Sequence, residues 1–292
     1  MRHATTAVAT ALFPANSFYK DQFFPELSEQ ELATGYALGA HLSAFLAPAA
    51  GAEVKEITVP VSMSCKREVQ DNIIDRDVIA SQSAKALSLL QAADPDKIVT
   101  FGGECSVSVV PFTYLNHKYG GDVALIWIDA HPDITLPGDA YDGYHAMACA
   151  ACLGLGDRKI VGQMPSAFSA AHTLLVGVRD WERDEIKERQ KQLGIANLTT
   201  EQLREKPELL EQMLKEMGCS HAVVHFDLDV LDPAEVCLAV GRPENGLRSS
   251  EVVDIINTVC QHTNLVGLTV AEHLPQVEII LHRILSRLPL LQ

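Results

Sequence analysis

Basic residues are in short supply. The 292-residue chain carries 23 Lys and Arg against 38 Asp and Glu, a formal charge of −15. No basic face is left to displace counterions from a phosphate backbone, so composition argues against nucleic acid as a partner and, for the same reason, against an anionic membrane surface. Long apolar runs are missing too: none reaches the roughly 18 residues of a spanning helix. Residues 4–13 are mildly apolar but short and lack a charged start or cleavage site, and read as a first strand rather than a signal peptide. Seven cysteines (Cys65, Cys105, Cys149, Cys152, Cys219, Cys237 and Cys260) make an odd set lying mostly in apolar segments, not a disulfide framework. Reduced, mainly buried thiols in a cytoplasmic protein are the expectation.

Several nucleotide and nucleophile signatures are also absent. Gly102-Gly103 lacks the Lys-Ser/Thr of a phosphate loop, Gly154 and Gly156 do not complete a dinucleotide fingerprint, and no Ser-His-Asp set has strand–turn–helix context. There is no internal repeat, low-complexity segment or Pro/Gly/Ser-rich linker, so a single domain over residues 1–292 is expected.

What is present is an ordinary globular composition, 47% apolar and 21% charged, arranged as alternating elements. Near-continuous apolar runs at 6–12, 56–62, 97–101, 123–129, 173–178, 222–228 and 265–271 predict strands buried on both faces, as in a parallel sheet. Helical periodicity recurs at 28–47, 78–93, 106–118, 144–154, 181–193, 201–217, 249–261 and 276–287. Ser28 and Thr200 read as helix starts. Alternation of the two implies right-handed crossovers and a three-layer α/β/α domain. The longest loops, 134–143 and 232–248, follow Asp-rich strand ends, where open α/β sheets place their sites.

Two of those ends stand out: Asp129-Ala130-His131-Pro132-Asp133 and His225-Phe226-Asp227-Leu228-Asp229. In extended chain, residues two apart share a face, so Asp129, His131 and Asp133 converge, as do Asp227 and Asp229. Four neighbouring carboxylates either raise their pKa values or bind cations. Oxygen-rich ligands with one or two imidazoles suit a hard divalent ion such as Mn²⁺, and a pair of ions about 3.5–4 Å apart activates water. His225 shares the Asp227 face by period two, which leaves it as a buried core histidine, an outer-shell group or a substitute ligand. His221 and His225 have H-x-x-x-H spacing, but on a strand. Cys149-Ala150-Ala151-Cys152 has redox-motif spacing, but in an Ala-rich helical stretch that reads as core.

With Phe101-Gly102-Gly103-Glu104-Cys105-Ser106 before these two segments, and Val230-Leu231-Asp232-Pro233 continuing the second, the chain resembles the arginase/agmatinase (ureohydrolase) family from about 95 to 275. The resemblance implies a mostly parallel, about eight-stranded sheet between helix layers and metal-assisted hydrolysis of a small guanidino or amidino substrate. It places the metal ligands at Asp129, His131, Asp133, Asp227 and Asp229, with Asp133 also accepting the proton of the attacking water. The sixth ligand, normally histidine, falls on Cys105. His145 in Gly143-Tyr144-His145 matches a proton-shuttle histidine. Glu272 in Val270-Ala271-Glu272-His273 matches the glutamate that holds the guanidinium, and Glu182 is nearest to an acid that contacts the substrate amine.

The same resemblance implies two Mn²⁺ per chain if Cys105 is tolerated, with Zn²⁺, Fe²⁺ or Ni²⁺ as alternatives, and a homo-oligomer (trimer or hexamer) to which the apolar helix at 276–287 could contribute. A thiolate is soft, and with four Asp it brings −5 against +4 from two ions. Cys105 therefore stays protonated beside a weak site, favours a softer ion, leaves one site empty, or is simply a small buried residue. The arginine-reading positions are also changed, to Thr135 and Asp142-Gly143-Tyr144. The alternative function is a catalytically weak or inactive homologue that binds or regulates.

Overall fold

A computed structural model describes residues 5–9, 29–48, 54–62 and 68–288. In chain order the elements are β1 (Thr5–Ala9), α1 (Glu29–Leu46), β2 (Lys55–Val59), β3 (Val69–Gln70), β4 (Ile73–Ile74), α2 (Arg76–Ala93), β5 (Ile98–Gly102), α3 (Val109–Lys118), β6 (Val123–Ile128), α4 (Ala148–Cys152), α5 (Arg158–Val161), β7 (Thr173–Val176), α6 (Asp184–Leu193), β8 (Ala196–Leu198), α7 (Thr200–Glu205), α8 (Glu208–Met217), β9 (His221–Asp227), α9 (Ser249–His262), β10 (Asn264–Ala271) and α10 (Gln276–Leu285). Eight strands form one sheet in the order β2-β1-β5-β10-β9-β6-β7-β8, with every pair parallel. β3 and β4 make a small antiparallel hairpin beside it.

The apolar runs explain the layering. All six residues of β6 are buried, and their period of two sorts them between two cores. Val123, Leu125 and Trp127 pack with Leu90 of α2, Val110 and Phe112 of α3 and the Ala-Cys stretch of α4. Ala124, Ile126 and Ile128 pack with Leu210 and Leu214 of α8 and Val252, Ile255 and Val259 of α9. Each buried Leu, Ile or Val removes enough apolar surface from water to stabilise the fold by about 1.5–3 kcal/mol. The expected α/β/α sandwich is the observed one.

All seven predicted strands exist, though residues 10–12 of the first lie outside the described residues, as do Cys65 and Ser28. The eighth strand, β8, escaped prediction: it has three residues, one of them Asn197, and sits at a sheet edge. The helix expected over 201–217 is two helices, because Pro207 has no N–H to continue the first and caps the second. The helix at Thr200 is capped one residue earlier, by Thr199 in a reciprocal capping box with Gln202. The segment 144–154 is a 3₁₀ turn (His145–Met147) leading into α4. Cys149 and Cys152 are wholly buried in the core. In α10, Ile279 is buried while Val277, Ile280, Leu281 and Ile284 face outward. Among the described residues no helix is long and apolar enough to cross a membrane.

The sheet positions the site through one geometric fact. β5, β10, β9, β6 and β7 are consecutive neighbours and all parallel, so their carboxyl ends open onto the same edge. There lie Cys105, Glu272, Asp227, Asp129 and Glu182, each within a few residues of its strand. Arg179, just after β7, fixes the adjoining loop 232–248. Its guanidinium donates to the carbonyls of Gly177, Asp229, Pro243 and Glu244.

Candidate metal centre

Strand alternation brings the acids to this edge, but turns aim them. β6 ends at Ile128, and Asp129 enters a bend whose own carboxylate organises it: Oδ1 accepts from the His131 amide at 2.7 Å and Oδ2 from the Trp127 indole at 3.0 Å. Asp133 has left-handed backbone geometry, φ 48°, so the extended spacing inferred from sequence does not reach it. Asp227 ends β9 and caps a 3₁₀ turn, its Oδ1 accepting from the Asp229 amide at 2.7 Å. Asp229 in turn accepts from the Ala130 amide at 3.2 Å, which locks the two motifs together.

Two donor groups result. Asp129, His131 and Asp229 place one ligand-type atom each within 4.8 Å of one another, and so do Cys105, Asp129, His225 and Asp227. Asp129 is common to both. In the first group His131 Nδ1 lies 3.0 Å from Asp229 Oδ2. In the second, Cys105 Sγ lies 3.1 Å from Asp227 Oδ2 and 3.5 Å from Glu272 Oε1. Asp133 is buried in the same pocket, its Oδ2 lacking a hydrogen-bond partner among the described residues, but joins neither group.

The electrostatics are those of an anionic pit. Burial, reinforced by Asp229, raises the Asp129 carboxyl to about 6. Burial and neighbouring carboxylates push Asp133, Asp227 and Glu272 well up, and burial takes Glu104 to about 7. The Cys105 thiol is raised by burial and then by Asp133 and Asp227. Burial opposes a charged imidazole at His131, but the Asp229 and Asp129 carboxylates outweigh it and raise that residue. Asp229 is correspondingly lowered, the His131 charge overcoming burial. Carboxylates crowded this way hold protons or hold cations. The donor chemistry fits divalent cations, with Asp129 common to the two groups that would hold them.

The remaining expected residues line the same pocket, with Tyr36, Trp181 and Thr135. Glu272, at φ 67°, and Glu182, at φ 56°, are both left-handed. Three site acids in a sparsely populated backbone region is the strain seen at functional sites. His145 Nε2 is 3.1 Å from the Tyr141 hydroxyl, and burial plus the charged His131 nearby lower it to about 3. Glu182 accepts a 3.7 Å ion pair from Arg183. The helical periodicity read from 181 begins as α6 at Asp184, so Glu182 precedes the helix.

Three contributors went unseen in the sequence. Trp127 is two residues before Asp129 on one strand face, a signal that was available. Ser108, whose Oγ lies 2.8 Å from His225 Nδ1, is one 3₁₀ turn beyond Cys105. Tyr36 of α1, which lines the pocket with Glu272, carries no local signal at all.

Gly241 closes the floor. A Cβ there would run into the Asp229 carboxylate. Gly241→Ala is therefore expected to displace Asp229 and weaken divalent-ion binding by at least about tenfold while the fold persists; calorimetric titration with circular dichroism checks it, and unchanged affinity would contradict it.

A profile of the Arginase family matches residues 48–281. Arginase 1, mitochondrial, of Arabidopsis thaliana is 25% identical over 213 residues, 72% of this chain and 57% of that protein. The chain thus spans less than two thirds of that relative's length. The crystal structure of Entamoeba histolytica arginase with L-ornithine superposes with a TM-score of 0.72 at 17% identity, over 95% of this chain and 94% of that one. Native Bacillus caldovelox arginase gives 0.73 at 16% identity, over 94% and 92%. At such identities the structural likeness establishes the fold.

Proposed function

The chain belongs to the Arginase family, and from that premise we propose that it is a metal-dependent hydrolase of a guanidino or related non-peptide C–N group, releasing urea or an analogous product. The observation that carries this reading is the pair of donor groups joined by Asp129 beneath a pocket that Glu272 lines. In this reading Asp129, His131, Asp227 and Asp229 hold two divalent ions, with Cys105 beside them and Asp133, which the resemblance offered as a further ligand, left outside both donor groups to handle the proton. Mn²⁺ is the family-based choice, and Zn²⁺, Fe²⁺ and Ni²⁺ are the alternatives. Bound there, the ions supply Lewis acidity and lower the pKa of the attacking water toward neutrality.

The chain's own groups do the rest. Glu272 pairs with the planar cation and orients its carbon toward the donors. Asp133 takes the water's proton at Oδ2 and returns it to the leaving nitrogen. His145 exchanges protons with solvent. Its present depression comes partly from charge on His131, and a ligating imidazole is neutral, so occupancy relieves that opposition. Glu182 and Trp181 meet the far end of the substrate. We extend the proposal to a single domain, a cytoplasmic location and a homo-oligomer, trimer or hexamer, to which the outward apolar residues of α10 contribute.

The test is urea and ammonia release from a panel of guanidino and formimino compounds by chain stripped of metal and reloaded. Release that requires the ion supports the reading. Two bound ions with no release from any compound would favour the second reading, a binding or regulatory homologue, which the thiol at position 105 motivates.

Among the described residues no Lys or Arg lines the pocket, whereas Asp133, Glu182, Asp227, Asp229 and Glu272 do, so an α-carboxylate on the substrate meets carboxylates there and no Lys or Arg. Guanidino compounds with neutral or cationic tails should exceed their α-carboxylate analogues in kcat/KM by at least about tenfold. A preference for the carboxylated analogue would contradict that.

A further inference from the structure

His225 is placed unlike a core histidine. It is wholly buried. Its ring stacks on Trp127 with centroids 3.8 Å apart and planes 16° from parallel. Nδ1 lies 2.8 Å from Ser108 Oγ. With Nδ1–H donated to that oxygen, the Nε2 lone pair points away from Ser108, the arrangement by which outer partners orient ligating imidazoles. Among the described residues Nε2 has no hydrogen-bond partner, and a buried polar atom left unpaired destabilises the fold. What it faces are carboxylates: Asp129 Oδ2 at 3.8 Å and Asp227 Oδ2 at 4.0 Å. Cys105 Sγ completes the set, 3.1 Å from the same Asp227 oxygen.

We propose that Cys105, Asp129, His225 and Asp227 form a mixed thiolate–imidazole–carboxylate site in which His225 Nε2 supplies the imidazole absent from position 105, and that this site selects zinc over manganese. The proposal rests on the metal-dependent reading above and sharpens it. A tetrahedral ion with bonds of about 2.0–2.3 Å has ligand–ligand edges of about 3.3–3.7 Å, and the spacings here straddle that range from 3.1 to 4.0 Å. The donor set points the same way. A thiolate and an imidazole with two carboxylates suit borderline-soft Zn²⁺, while Mn²⁺ prefers oxygen and sits lower in the affinity order. A cation at this point also removes the thiol proton outright. The other group, Asp129 with His131 and Asp229, has no sulfur and carries no such bias. The two positions are therefore chemically unequal. Trp127 governs the unequal one, since it stacks on His225 and donates to Asp129.

Metal-stripped full-length protein should be titrated with Co²⁺ as a spectroscopic stand-in for Zn²⁺, then with Zn²⁺ and Mn²⁺ in competition, with ions counted by elemental analysis. A near-ultraviolet thiolate-to-cobalt band with tetrahedral ligand-field absorption is expected, and Zn²⁺ should displace one ion per chain that Mn²⁺ cannot. Cys105→Ser should abolish the band. His225→Gln should shift the ligand-field absorption and weaken Zn²⁺ at that position by about 100-fold. The exposed Cys237 and Cys260 are adventitious thiol sources, so the band must survive their joint replacement by Ser. Two bound Co²⁺ without a thiolate band in the parent protein, or Mn²⁺ resisting Zn²⁺ at both positions, would overturn the proposal and leave the hydrolase reading standing. Unaltered absorption and affinity in folded His225→Gln would do the same. Failure to bind any divalent ion would remove both.

Discussion

Asp227→Asn is expected to abolish ion-dependent turnover and leave the metal-free fold at least as stable as the parent. Both halves follow from the same geometry. Asp227 is fully buried at the end of β9, its carboxyl raised by burial and then by Asp229, Asp129 and Glu272. The amide keeps the acceptor that Oδ1 offers to the Asp229 amide and takes a charge out of a crowded cluster. What it loses is one oxygen of the Cys105–Asp129–His225 group. Thermal melts measure the difference. At about 1,000-fold excess over Kd, an ion stabilises by about 4 kcal/mol, which for a chain of this size raises Tm by about 8 °C. The parent should show that rise and Asp227→Asn little of it. A full ion-induced rise with turnover retained would rule Asp227 out as a ligand.

Asp133→Asn should behave differently. Asp133 stands in the pocket, its Oδ2 unpartnered among the described residues, but outside both donor groups. Its loss is expected to cut kcat by about 10²–10⁴-fold, the usual worth of a positioned base, with ion stoichiometry and KM little changed. Asparagine tolerates the left-handed φ of 48° that this position requires, so backbone strain does not confound the comparison. Undiminished kcat would mean that Asp133 shapes the turn and moves no proton. Loss of an ion together with kcat would instead make it a ligand.

Most of the architecture could be read in advance because it rests on burial. The Val-Ala-Leu-Ile-Trp-Ile run of β6 has no reason to exist outside a two-faced core, and the acids that follow it have no reason to cluster without a cation. What stayed hidden depends on distance or on turns. Nothing near Tyr36 announces that it lines the pocket with Glu272. Period two correctly put His225 on the Asp227 face, but it could not say how deep the ring lies or that Ser108 holds its other nitrogen. The same period carried Asp133 too far, since the chain has already left the extended conformation at Asp129. β8 was lost because three edge residues, one polar, produce no apolar run. Pro207 was visible all along, and its missing N–H was sufficient reason to divide the helix.

The place of β10 has a kinetic consequence. It is the last strand of the sheet in sequence, yet it lies between β5 and β9, where Ile98 pairs with Gly267 and Asp227 with Ala271. Until it is made, a nascent chain holds two separate half-sheets, β2-β1-β5 and β9-β6-β7-β8, each with a bare parallel edge open to wrong pairing. Asp129, His131 and Asp229 all belong to the second half-sheet and can gather early. Cys105 follows β5 and reaches Asp227 and His225 only when β10 slots in. Such distant pairings form slowly, so the sulfur-bearing group is expected to assemble late, when this seam closes.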